Sequence, residues 1–180
     1  MQKVLQAAID CIEEYGVQKT TIRAIASKAG LNSAAINYYF ENKDELIRQA
    51  LDQTLKNAFD VSHINFREDD SPARLLERLF EHWLEGNRRY PGIIRAYFYE
   101  PFVNQYYNDA GMVKLKAFVQ EVENLMVRHG MEQSPENSMK VRWVFSAFFN
   151  NILLPGLLGE DIVADEDAGK RFLKLHYQLF

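Results

Sequence analysis

The chain has 180 residues, 47% of them hydrophobic and 26% charged, with a formal net charge of −4 at pH 7. That balance is ordinary for a soluble globular protein of one or two domains, long enough to bury a good core. The most apolar run, residues 143–158, is broken by Asn150, Asn151 and Pro155 and falls short of the roughly 18 to 20 apolar residues of a bilayer span. Cys11 is the only cysteine, so an intrachain disulfide and a CxxC motif are excluded; a buried small hydrophobe is its expected role. Met1-Gln2-Lys3 leads straight into an amphipathic helix without a signal-peptide pattern, and a cytoplasmic location with no membrane contact is expected.

Apolar residues recur at helical spacing and period-2 alternation is absent, which predicts an all-α fold of about nine helices. The first helix covers Gln2 to Tyr15, with Val4, Leu5, Ala8, Ile9 and Ile12 on one face. Two short helices joined by a tight turn follow. A fourth opens with Asn42 as cap and Glu45 three residues on, the arrangement of a capping box, and continues to Leu55 or Phe59. A polar segment, His63 to Asp70, separates this N-terminal unit from the rest. Ser71-Pro72 starts the fifth helix, serine capping and proline in the first turn; Leu75, Leu76, Leu79, Phe80, Trp83 and Leu84 form its inner stripe. Tyr90-Pro91-Gly92 breaks it, and a short aromatic helix runs to Pro101. After a looser stretch, the next helix turns Leu115, Phe118, Val119, Val122, Leu125 and Met126 inward and ends at His129-Gly130. Ser134-Pro135 repeats the serine-proline start for a long helix that Pro155-Gly156 kinks or ends. Asp165-Glu166-Asp167 places negative charge at the start of the last helix, as the dipole favours.

The most informative stretch is Thr20 to Leu46. Ile22, Ile25 and Ala26 give its first helix one apolar stripe, and Gly30 closes it in the left-handed conformation that glycine adopts without steric cost. Leu31 is expected to plug the corner. Ser33 to Phe40 form a helix too short and polar for a core element. Its outward positions, Ser33, Ala34, Asn37 and Tyr38, are small or hydrogen-bonding and suit close entry into a major groove. This is a helix-turn-helix, and double-stranded DNA is its expected partner. Ala34 and Ala35 suit contact with thymine methyls; Asn37 can address adenine or phosphate, or only pack and cap. Thr21 can cap its helix and also touch phosphate. Of Tyr38 and Tyr39, one is expected to face groove or backbone and the other to pack beneath the motif with Phe40, a core residue. Residues 1–56 carry seven Lys or Arg and seven Asp or Glu. Helix N-termini and hydroxyls are therefore expected to share phosphate contacts with a few cations.

The apolar first helix ending at Tyr15-Gly16 is followed by Thr21-Ile22-Arg23-Ala24-Ile25-Ala26, Ala29-Gly30-Leu31, Ile36-Asn37-Tyr38-Tyr39-Phe40 and Lys43-Asp44-Glu45-Leu46. In order and spacing these pieces resemble the N-terminal domain of the TetR family of bacterial transcriptional regulators. The resemblance covers residues 3 to 50. It implies a helix-turn-helix domain over 1–46 and a helical effector-binding and dimerisation domain over 47–180. It further implies that Arg23 reaches a base edge or phosphate, and that Tyr39 and Lys43 meet phosphate, Lys43 together with the dipole of the fourth helix.

In TetR-like proteins the central helices enclose an effector pocket. Phe80, Trp83, Tyr97, Phe98, Phe102, Tyr106 and Phe118 are the candidates here, for an apolar or aromatic ligand of unknown identity; filling the core is the alternative for each. Arg95 or Glu100 would select a charged ligand. The long helix is apolar almost all round, so burial on two sides is expected. Trp143, Phe145, Phe148, Phe149 and Ile152, with Phe172, Leu175 and Leu179 of the last helix, are the candidates for a four-helix homodimer interface of the kind the family builds. The four histidines, His63, His82, His129 and His176, lack metal-ligand spacing, and no GxSxG, GxGxxG or phosphate-cradling glycine loop is present. No cofactor, metal or enzymatic activity is expected. The reading is a ligand-responsive repressor. An activator, a regulator controlled by a protein partner, and a helical-bundle enzyme or carrier are the alternatives.

Overall fold

The computed structural model describes residues 1–105, 107, 110–157 and 159–180, the side chains of Asn57, His63, Ala110, Tyr177 and residues 99–102 excepted. The described residues form nine α-helices and no strand: α1 Gln2–Tyr15, α2 Ile22–Ala29, α3 Ser33–Tyr39, α4 Lys43–Ala58, α5 Pro72–Arg89, α6 Pro91–Asn104, α7 Ala110–Arg128, α8 Pro135–Leu153 and α9 Glu166–Tyr177. A 3₁₀ turn, Val61–His63, follows α4. Among these residues no helix is long and apolar enough to cross a membrane.

Serine-proline starts act as expected: Ser71 accepts from the Arg74 N–H and Ser134 from the Asn137 N–H, each with proline in the first turn. Asp165 caps α9 by accepting from Asp167 and Ala168. Asn42 caps α4 by accepting from the Glu45 N–H at 2.9 Å. The Glu45 carboxylate, however, engages Arg48 and Gln49 rather than returning to the Asn42 amide. The capping box is thus replaced by a cap and a surface ion pair. α6 passes Pro101 and ends at Asn104, since a proline near a helix end removes few backbone bonds.

Two buried clusters result. The N-terminal one joins Val4, Ala8, Ile12, Ile25, Ile36, Phe40, Leu46 and Ala50; Cys11 belongs to it, and burial raises its thiol pKa above the usual value. The second fills the body around α5. There Phe80 stacks on Phe148 with ring centroids 4.6 Å apart, Trp83 stacks on Phe118 at 5.1 Å, and Phe145 meets Phe80 edge-on at 5.3 Å. The Trp83 indole N–H donates to the Ala58 carbonyl at 2.8 Å, closing the end of α4.

α6 joins the clusters. Its Ile93 is buried with the N-terminal residues, while Phe98 is buried against Leu55 and Met112. Both oxygens of the Glu13 carboxylate, from α1, accept from the first turn of α6: Gly92 N–H at 2.8 Å and Ile93 N–H at 2.6 Å. A β-carbon on Gly92 would lie 3.0 Å from that carboxylate, so any larger residue would crowd the approach.

The segment between α4 and α5 is more than a polar separator. Ile64 and Phe66 pack on the body cluster, and Asp70 is buried, accepting from the Arg67 N–H and from Arg78, while its carbonyl meets His129 Nδ1 at 3.0 Å. The Arg67 N–H, with the Arg78 guanidinium, holds the Asp70 carboxyl below the usual carboxylate range. Its stabilisation is therefore full above the unfolded value and is lost as pH falls through the lowered folded value. Asp70→Asn should lower Tm at pH 7, with the gap to wild type closing below about pH 4; a gap independent of pH would contradict this. Trp83→Phe, which leaves the Ala58 carbonyl without its donor, should cost about 1–3 kcal/mol in urea unfolding.

Candidate nucleic-acid interface

α2, the turn and α3 are built by short-range bonds. Thr21 Oγ1 accepts from the Ala24 N–H at 3.1 Å, fixing the start of α2. At its end Gly30 has φ 66°, and Leu31 N–H returns to the Ala26 carbonyl at 2.9 Å. These bonds close the corner, and the Leu31 side chain is 42% exposed rather than plugged into it. Asn32, to which the sequence analysis gave no role, is the cap of α3: its Oδ1 accepts from the Ala35 N–H at 2.7 Å.

α3 rests on Ile36 and is followed by Phe40, both buried. Ala34, Asn37, Tyr38 and Tyr39 are exposed; Ser33 and Ala35 are half-buried. Neither tyrosine packs beneath the motif. Tyr38 is 84% and Tyr39 58% exposed, and the rings meet edge-to-face at 5.2 Å; Phe40 already fills the space below. Arg23 is exposed and Lys43, at the start of α4, half-buried. Among the described residues neither has a carboxylate partner within 4 Å. Lys28, by contrast, pairs with Glu14 at 2.5 Å, and the Lys3 ammonium sits by Gly30 at the end of α2.

This arrangement agrees with the comparisons. The family model for bacterial regulatory proteins of the tetR family matches residues 4–50. The HTH-type transcriptional regulator BetI 2 of Chromohalobacter salexigens is 30% identical over 82 residues, 44% of this chain and 40% of that protein. RutR of Escherichia coli K12 is 32% identical over 98 residues, 52% of this chain and 44% of that protein. The matched segments thus span less than half the length of these curated relatives. Among solved structures, a tetR-family regulator from Streptomyces coelicolor superposes with a TM-score of 0.70 at 19% identity, over 99% of this chain and 75% of that one. A TerR/AcrR-family regulator from Aquifex aeolicus gives 0.72 at 17%, over 99% and 98%.

Residues 4–50 are thus similar to the N-terminal domain of the TetR family.

The body places the remaining candidates differently from one another. Phe80, Trp83 and Phe118 are stacked in the core, as are Phe145, Phe148 and Ile152, which therefore belong to the protomer's own interior. The apolar circumference of α8 is covered by its neighbours α6 and α7 and by the Phe80 and Trp83 rings of α5. Trp143 at 66% and Leu175 at 64% stand exposed on α8 and α9, with Phe149, Phe172 and Leu179 half-buried. Tyr97 meets Phe98 edge-on and covers Gly111, where a β-carbon would overlap its ring. The side chain of Phe102, that of Glu100, and Tyr106 lie outside the described residues. Arg95 is exposed and donates to the Pro91 carbonyl.

Two hollows of about 370 and 550 Å³ border Arg95, and two further spaces border the aromatic candidates. An inner cavity of about 60 Å³ lies between α4, α5 and α6, bounded by Leu55, Phe59, Trp83, Ile94 and Phe98. A cleft of about 480 Å³ opens between α7 and α8, a residue set that aromatic content alone did not mark. Asn32→Ala should cost about 0.5–2 kcal/mol by removing the cap of α3, read as a lower Tm with α-helical far-UV dichroism retained.

Proposed function

We propose that this chain is a DNA-binding transcriptional regulator of the TetR family, a homodimer that represses from a palindromic operator and is released by a small apolar or aromatic effector. One observation supports the DNA contact above others: α3, fixed by Ile36, Phe40 and the Asn32 cap, holds Ala34, Asn37, Tyr38 and Tyr39 away from the protein. Large aromatic rings turned to solvent on a rigid short helix fit a groove and its phosphates. Thr21, Arg23, Ser33, Ala35 and Lys43 complete the proposed contacts, with Arg23 and Lys43 free to meet phosphate. The domain division at Leu46 is proposed within α4, which runs on unbroken into the body.

Dimerisation is supported by Trp143 and Leu175, exposed apolar side chains on the two C-terminal helices. In such a dimer the two α3 helices must lie about 34 Å apart to enter successive major grooves. The inner cavity is far below the roughly 300–1,000 Å³ of ordinary ligand sites, and the apolar lining of the α7–α8 cleft supports that cleft as the effector site. The same small cavity favours the second reading, control by a protein partner without a small molecule.

Fluorescence anisotropy on DNA upstream of its own gene, against scrambled DNA, tests the reading. Binding on the order of 10⁻⁸ M, at least about 10³-fold above scrambled, is expected near physiological salt. Arg23→Ala and Tyr39→Ala should each weaken it by about 1–3 kcal/mol, roughly 5- to 150-fold, with the hydrodynamic radius unchanged. Unaltered affinity in both variants would overturn the assigned contacts.

A further inference from the structure

The α7–α8 cleft has a two-part lining. Leu115 and Val119 from α7, with Phe145 and Phe149 from α8, make an apolar floor. Lys116 and Gln120 recur one turn apart on α7, and Arg142 and Ser146 one turn apart on α8; all four are exposed and form its rim. The lining holds two cations and one carboxylate, Glu123. Glu123 is buried and takes a hydrogen bond from the Ser138 hydroxyl, so its charge is engaged inside the helix pair. Lys116 donates to the Tyr107 carbonyl at 2.9 Å, which holds its ammonium at the cleft. Among the described residues Arg142 has no carboxylate within 4 Å, although its guanidinium presents a fork of donors suited to a carboxylate. An unpaired guanidinium above an apolar trough is matched by a ligand with an apolar body and one anionic head.

We propose that this cleft is the site of an amphipathic carboxylate, its acyl or aryl body on the Val119–Phe149 floor and its head on Arg142, with Lys116 adding to the positive field. The inference rests on the ligand-responsive reading above and narrows it to one chemical class. An alcohol of equal length would gain the floor but not the guanidinium, and an amine would be repelled by both rim cations. The volume, about 480 Å³, falls within the range of small-molecule sites.

Isothermal titration of the full chain with decanoate, decan-1-ol and decylamine, each below its micelle concentration, tests this. Decanoate should bind at least tenfold more tightly than either of the others. Arg142→Met should remove that preference, and Val119→Trp, which fills the floor, should weaken decanoate at least tenfold; far-UV dichroism and Tm establish that both variants are folded. Decanol or decylamine binding as tightly as decanoate would overturn the proposal. So would absence of decanoate binding to the folded wild type, or decanoate binding unchanged in both variants. Anisotropy on the upstream DNA, run on the same wild-type preparation without amphiphile, separates the two readings. Specific DNA binding without decanoate binding sinks only the ligand class. Decanoate binding without specific DNA binding sinks the regulator.

Discussion

The placement of the helix-turn-helix depends on a contact between residues about eighty positions apart in the chain. α6 starts at Pro91 after Tyr90, a residue without the short side-chain oxygen that caps a helix, so its first turn has no local acceptor. Glu13 supplies one from α1, and both of its oxygens are engaged. The carboxylate also lies where the α6 dipole favours negative charge. Ile93 then enters the N-terminal cluster from the same turn. A second strut runs through α4, whose last turn is tied to α5 by the Trp83 indole. Without the Glu13 contact, two N–H groups would lose their partners and α1 would keep only apolar, non-directional contact with α6.

Local chemistry made most of the helical frame legible. Ser71-Pro72, Ser134-Pro135, Asn42, Gly30 and the acidic start of α9 each act within four residues, and each marks a boundary that the structure keeps. The N-terminal motif was readable for the same reason: its turn, caps and apolar stripe are all short-range. Long-range partners were not readable. Nothing around Glu13 points to Gly92, and nothing around Trp83 points to the carbonyl of Ala58. Periodicity also misassigned the surplus apolar faces. It showed that α8 must be covered on more than one side, but not that α5 and α7 would cover Phe145 and Phe148 within one protomer. Tyr38 and Tyr39 were ambiguous because two aromatic residues on so short a helix fit burial or exposure equally well until Phe40 is placed.

The charge distribution bears on how such a motif meets DNA. The N-terminal unit is neutral, and two of its cations are already engaged: Lys28 by Glu14, and Arg48 by Glu45 and Asp52. Lys28, in turn, holds the Glu14 carboxyl below its usual range. Few cations remain to release counterions, so the proposed complex should lean on hydroxyls, backbone N–H groups and the N-termini of α2, α3 and α4. This makes affinity depend on accurate positioning more than on bulk charge, and caps such as Thr21 and Asn32 then matter to both stability and contact.

Positioning is also where a body ligand can act. Phe98 and Phe149 border both the inner cavity and the α7–α8 cleft, and Phe98 lies on α6, the helix whose first turn Glu13 holds. In the proposed dimer, a ligand in the cleft would change the separation of two α3 helices only through unequal affinity for two conformers. Reversing a 1:99 population needs about 5.5 kcal/mol of that difference. Pushing Phe98 does not have to supply this by bending α6 continuously. Hydrogen bonds weaken steeply once misaligned, so a small axial shift of α6 would break both bonds to Glu13 before Ile93 left its cluster. A directional contact set beside a non-directional one would divide the proposed joint into two discrete arrangements, which a ligand could bias where it could not drive a graded deformation.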